Sequence, residues 1–236
     1  MNLILLFKDD FIGSNGRVRL EGRRHEHVRN VHRAFVGDEL CVGLCDEKIG
    51  TGKIVSLDND ALEMDVTFSR DAPKALAVTL VLALPRPNMC KRILACASSM
   101  GVKRIILFHS SRVEKSFWRS PVLKEECIKN QLILGLEQAR DTILPQVQLR
   151  PAFKPFVEDE LPAIAENTLK LVAHPESSES CPNGVDQPLT LVIGPEGGFI
   201  SYEIESLAAL GFTPVHLGER ILRVESVVPA LLSRLL

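Results

Sequence analysis

A short apolar run near the end of the chain, Leu189–Ile193, and a second expected strand, Thr213–Leu217, are separated by a glycine-rich turn and a helix-forming stretch. This arrangement restricts the chain more than any other feature. An apolar run of this length bounded by Pro188 and Gly194 fits a strand buried on both faces, and strands of that kind belong to parallel sheets covered by helices. The turn, Gly194-Pro195-Glu196-Gly197-Gly198, combines glycines that permit positive φ or close backbone approach with one proline of fixed φ, and so exposes backbone N–H groups. Ser201 is the expected N-cap of the helix that follows, Glu203 and Glu205 suit its positive end, and Gly211 ends it. Gly218 to Arg223 reads as a second turn, and Glu225 to Leu236 as a last helix with Pro229 expected in its first turn.

By spacing alone the glycine turn is any strand-to-helix connection. It is not a nucleotide-binding P-loop, because no Lys-Ser/Thr follows, and it lacks the glycine order of a dinucleotide fingerprint. Ile193–Phe199 (IGPEGGF) together with Leu217–Ser226 (LGERILRVES) resembles the paired C-terminal motifs of the RsmE family. Its members are SPOUT-type, trefoil-knotted methyltransferases that use S-adenosylmethionine to methylate N3 of a uridine in 16S rRNA. The resemblance implies an α/β fold, with a C-terminal knotted parallel-sheet domain at 75–236 and a PUA-like RNA-binding β-barrel at 1–70.

The N-terminal residues suit such a barrel. Short strands are expected at Leu3–Phe7, Arg17–Leu20, Glu39–Val42, Lys48–Leu57 and Leu62–Phe68, with turns at Gly13–Gly16, Gly37-Asp38 and Asp58–Asp60. Between the second and third strands, Arg23–Arg33 packs four arginines and three histidines into eleven residues. Val28 and Val31 are expected to form its narrow buried stripe. The run reads either as a solvated helix face or as a phosphate-binding patch. In the family this domain carries a histidine followed by Val-Leu-Arg, matched here by His27–Arg33 with His32 in place of the leucine. Arg23, Arg24, His27, Arg29 and Arg33 are therefore candidate RNA contacts.

Asp71–Lys74 reads as a linker, after which the pattern alternates: strand Leu76–Leu84, helix Asn88–Met100, strand within Gly101–Phe108, helix Pro121–Arg140, strand Leu169–Ala173. Arg86, Lys91 and Arg92 add a second basic element after the first of these strands, where α/β folds bind ligands, and are further RNA candidates. Trp118, the only tryptophan, either stacks on a base or covers the edge of the core. Arg140 ends a segment similar to the family's Glu-Gln-x-x-Arg, one residue closer to the glutamine. Pro175–Pro188, rich in Ser, Pro and acids, is expected to be a mobile flap or an inert insertion.

Carried onto matching positions, the resemblance places S-adenosylmethionine against His174, Gly194, Glu196, Gly198, Leu217, Gly218, Ile221, Leu222 and Arg223. Arg223 is the expected hydrogen-bond donor to the uracil oxygens, and Glu196 or Glu225 the acceptor of the N3 proton. Val224 stands where the family has threonine. A homodimer is implied as well; the apolar face of the last helix, Val227, Val228, Leu231, Leu232, Leu235 and Leu236, suits either a partner surface or the cover of its own sheet. The expected partner is 16S rRNA or the small ribosomal subunit. Two other readings remain open: a SPOUT methyltransferase for another RNA, and a non-catalytic rRNA-binding or ribosome-assembly protein.

Composition restricts the rest. Net charge is −2, so nucleic-acid binding must rest on local patches rather than on a basic chain. The six cysteines form no CxxC pair and no metal-binding spacing with the six histidines, so reduced thiols and no metal are expected. No run approaches the ~18 apolar residues of a membrane span, and a cytoplasmic location is expected.

Overall fold

A computed structural model describes residues 2–13 and 15–235. Ser14, inside the expected Gly13–Gly16 turn, and Leu236, in the expected apolar face of the last helix, lie outside the described residues. The chain divides into two units: Met1–Lys74 with Ile133–Leu144, and Ala75–Leu132 with Pro145–Leu236.

The first unit contains β1 (Ile4–Leu6), β2 (Phe11–Ile12), β3 (Arg17–Leu20), α1 (Gly22–His27), a π-helical turn at Val28–His32, β4 (Glu39–Leu44), β5 (Ile49–Leu57) and β6 (Leu62–Arg70). The strands form one curled sheet ordered β1-β4-β5-β6-β3-β2, antiparallel except where β1 meets β4. Successive residues of a strand face opposite ways, and β1 uses both faces. Ile4 and Leu6 join a core with Val18, Leu20, Val42, Ile54, Leu62 and Met64. Leu3 and Leu5 meet Ile49, Ile133 and Leu136 instead. This second cluster is why Ile133–Leu144, which the sequence assigns to 75–236, packs with the first unit. Val28 is buried as expected, but Val31 is 65% exposed, because the helical pattern widens into a π turn after His27 and displaces the three-residue stripe.

The second unit holds β7 (Leu76–Ala83), α2 (Pro87–Ser99), β8 (Val102–Phe108), the first half of α3 (Glu125–Ala139), β9 (Gln146–Arg150), α4 (Leu161–Ile164), β10 (Leu169–Ala173), β11 (Leu189–Ile193), α5 (Ser201–Ala209), β12 (Thr213–Val215) and α6 (Val224–Leu235). Its six strands are all parallel, in the order β12-β10-β11-β7-β8-β9. All five residues of β11 are buried, as the continuous apolar run requires.

Several local expectations change. The helix expected from Pro121 begins at Glu125, after a 3-10 turn at Pro121–Leu123 in which the Ser120 hydroxyl accepts the Val122 N–H. Arg140 follows that helix in the left-handed region, at φ 56°. Ile200 rather than Ser201 occupies the N-cap of α5, and β12 stops at Val215. Because α6 begins at Val224, Pro229 lies inside the helix rather than in its first turn.

Pro175–Pro188 is not a free flap. Its Cys181 N–H donates to the His216 carbonyl at 2.8 Å, and the His216 N–H donates to the Glu179 carbonyl at 2.9 Å. Gly184 and Val185 donate to the carbonyls of Arg234 and Leu235, while the Arg234 guanidinium donates back to the Cys181 carbonyl. Buried backbone groups need partners, and this loop finds them on the terminal helix. Among the described residues no helix is long and apolar enough to cross a membrane.

Candidate active site

In the parallel sheet the chain runs outward from β7 through β8 to β9 on one side, while β11 and β10 lie on the other. The reversal between β7 and β11 is the crevice where such sheets bind ligands beyond their carboxyl ends. The segments leaving these two strands are joined there: the Arg86 N–H, at the N-cap of α2, donates to the Glu196 carboxylate at 2.9 Å.

Each glycine of the turn after β11 has its own reason. A Cβ on Gly194 would stand 3.1 Å from the Phe199 ring, and one on Gly197 would stand 3.1 Å from Cδ of Arg112. Gly198 has φ +73°, a region that side chains other than glycine's seldom adopt. Its N–H donates to the Pro195 carbonyl at 2.8 Å and closes the turn. The Arg112 guanidinium donates to the Gly197 carbonyl. Glu203, only 2% exposed, accepts the N–H of Ser111 at 2.7 Å and that of Ile200 at 3.1 Å. The segments following β7, β8 and β11 are thus fastened together by side chains.

The opposite wall follows β10 and β12. His174 donates its N–H to the Val215 carbonyl at 2.9 Å, and Nδ1 of His216 accepts the Gly218 N–H at 2.9 Å. Beyond Gly218 the chain presents Ile221, 84% exposed, and Leu222 to the open cleft. Between the walls lies a cleft of about 1600 Å³. That exceeds the ~300–1,000 Å³ usual for one small ligand and leaves space for a second group beside it.

The structure brings together on this cleft all nine residues expected around the cofactor: His174, Gly194, Glu196, Gly198, Leu217, Gly218, Ile221, Leu222 and Arg223. Glu225, Arg86 and Arg92 line it as well, whereas Lys91 does not. Arg223 is 86% exposed, with Nη1 4.0 Å from the Glu225 carboxylate, the outer limit of an ion pair. Such a contact leaves the guanidinium available to a ligand. The sequence reading missed Arg112, Met89 and Phe199 in the lining. Arg112 had a usable signal, since it lies just past the carboxyl end of a buried strand. Trp118 is absent from the lining, and its indole N–H donates to Nδ1 of His109 at 2.9 Å.

The basic run of the first unit divides in two. Arg24 makes a bidentate pair with Asp10 at 2.6 and 2.7 Å and donates to the Leu5 carbonyl, so it serves the fold rather than a ligand. Arg23 lies 2.8 Å from the buried Glu137 carboxylate. His27 meets His32 edge-on, with ring centroids 5.0 Å apart. Burial, and then the neighbouring His32 and Arg23, hold its pKa below the ordinary histidine value, so it is neutral at pH 7. Arg29 and Arg33 are exposed. Among the described residues, no group of three or more His, Cys, Asp or Glu side chains is placed to hold a metal ion.

The family description "RNA methyltransferase domain" matches residues 72–236. The chain belongs to this RNA methyltransferase family. As a member, it is similar to ribosomal RNA small subunit methyltransferase E 1 of Borreliella burgdorferi, 24% identical over 98% of this chain and 95% of the relative. The corresponding protein of Treponema pallidum is also 24% identical, over 98% and 88%. Among solved structures, the ribosomal RNA small subunit methyltransferase E of Neisseria gonorrhoeae bound to S-adenosyl methionine superposes with a TM-score of 0.76. The two share 20% identity over 99% of this chain and 95% of that one. A probable rRNA-methyltransferase from Porphyromonas gingivalis gives a TM-score of 0.71 at 22% identity, over 98% and 94%. The fold class expected for this methyltransferase, a PUA-like barrel with a SPOUT-type parallel-sheet domain, is the fold of these relatives.

Proposed function

We propose that the protein transfers the methyl group of S-adenosylmethionine to N3 of a uridine in the 16S rRNA of the small ribosomal subunit. The observation that carries this reading is the convergence of both C-terminal motifs on one cleft, at the point where the strand order reverses, in a chain of the RNA methyltransferase family. The residues suit the cofactor. Leu217, Ile221 and Leu222 offer apolar surface to an adenine, and the Gly194–Gly198 turn brings backbone close to a polar tail. Bound S-adenosylmethionine supplies an electrophilic methyl on a sulfonium.

The chain's part is to hold the base and take its proton. Arg223 donates hydrogen bonds to the uracil oxygens as negative charge builds on them, and positioning in line provides most of the acceleration. Glu225 is the better placed proton acceptor, because the Glu196 carboxylate is already held by the Arg86 N–H. With N3 deprotonated, its lone pair would take the methyl carbon as that carbon's bond to sulfur breaks, and the sulfur would leave as a neutral thioether. Arg86 and Arg92, on the cleft wall, hold flanking phosphates. The contacts of Pro175–Pro188 with the terminal helix support the knot that the sequence resemblance implies. The protein acts as a cytoplasmic homodimer, with α6 contributing to the interface.

Labelled S-adenosylmethionine incubated with small subunits lacking the modification tests the proposal. Labelled 3-methyluridine at one 16S position, identified by mass spectrometry, is the expected product. Label at another base or in another RNA would replace the substrate. No label, with cofactor binding confirmed, would favour the non-catalytic reading.

A further inference from the structure

Three of the eight large apolar residues exposed among the described positions fall within six consecutive residues: Val31 at 65%, Phe35 at 74% and Val36 at 61%. Single exposed apolar side chains are ordinary, but a cluster requires a reason. Backbone disorder is not the reason, because this segment is tightly held. Arg33 ends the π turn at φ 53°, and Ala34 enters the core of the first unit. The next turn is closed by the Asp38 N–H donating to the Phe35 carbonyl at 3.1 Å and by the Phe35 N–H donating to the Asp38 carboxylate at 2.8 Å. Two further bonds fix it to β5, from the Gly37 N–H to the Ile54 carbonyl and from the Ile54 N–H to the Asp38 carbonyl, both 2.9 Å. An aromatic ring is thus presented to solvent on a firm support, where it adds little to the fold.

The stretch of chain that carries it is cationic. From His27 to Gly37 the chain has no carboxylate, and the carboxylate of Asp38 is occupied by the turn's own N–H. Arg29 and Arg33 are exposed and make no ion pair among the described residues, unlike Arg24. A flat apolar ring on the same short stretch as two exposed guanidinium groups matches single-stranded RNA, whose bases offer π faces and whose phosphates accept bidentate hydrogen bonds.

We infer that Phe35, flanked by Val31 and Val36, is a stacking platform for an unpaired RNA base, with Arg29 and Arg33 holding the adjoining phosphates. The inference rests on the RNA substrate proposed above and assigns a second, base-contacting element to the first unit.

The test uses the full chain and two probes, a ten-nucleotide oligouridine and an abasic ribose-phosphate strand of the same length, followed by fluorescence anisotropy. Phe35→Ala should weaken oligouridine binding by about fivefold or more, fivefold being the low end of what one stacked base contributes. The same variant should leave the abasic strand unaffected, and Phe35→Trp should bind oligouridine at least as well as wild type. Arg29→Ala and Arg33→Ala should weaken both probes. Unchanged oligouridine affinity in Phe35→Ala, or an equal loss for both probes, overturns stacking and leaves the patch to a protein partner. Wild-type protein that binds the cofactor but neither probe would sink the RNA reading itself, and this inference with it.

Discussion

Glu203 shows how much one side chain can fasten. Buried in the first turn of α5, it accepts two backbone N–H groups, one from its own helix start and one from the segment after β8. Glu203→Ala would take the protein partner from both donors, a loss of about 1–3 kcal/mol in urea unfolding, whereas Glu203→Gln keeps an acceptor and should lose less. Two titrating residues give further checks. Burial raises the Cys90 thiol to about 12, so a thiol reagent at pH 8 should spare Cys90 in the native protein and modify it after unfolding. For His27 the sign runs the other way from a salt-bridged histidine. Its folded pKa is lowered, so the unfolded chain takes up a proton first, and stability falls as pH drops through 6.5 toward the folded value. A proton NMR titration should show the His27 ring titrating below 6.5. The glycine turn was legible in the sequence because its residue types are rare in combination. The distant contacts of Glu203 and Arg112 were not, because no local pattern marks which side chain reaches 92 or 85 residues away, even where its own position carries a signal.

Among elements, β10 and β11 have the bounds that their apolar runs predict, and β3, half-buried with two arginines, has its expected bounds as well. Buried strands announce themselves by continuous hydrophobicity. The edge strands β2 and β9 escaped, one being two residues long and the other carrying glutamines and an arginine on a half-buried edge. The segment Pro155–Ile164 escaped for a different reason, since its π-helical start breaks the 3.6-residue period. The Pro175–Pro188 loop was misjudged because composition records local propensity and is blind to a distant helix supplying its hydrogen bonds. Arg234→Ala removes the charged bond to the Cys181 carbonyl. Protease cleavage between Glu176 and Asp186 should then quicken, while the wild-type loop resists.

For the whole molecule, the proposed homodimer predicts a light-scattering mass of twice 26.1 kDa. A monomeric mass at micromolar concentration would remove the partner from the scheme and leave the apolar face of α6 to its own sheet. The cleft itself draws on residues from Arg86 to Leu231. Its wall beyond β12 and the helix that ties down the loop come later in the chain than the strands they close on. A growing chain therefore carries its finished barrel and most of its sheet while still unable to hold a cofactor.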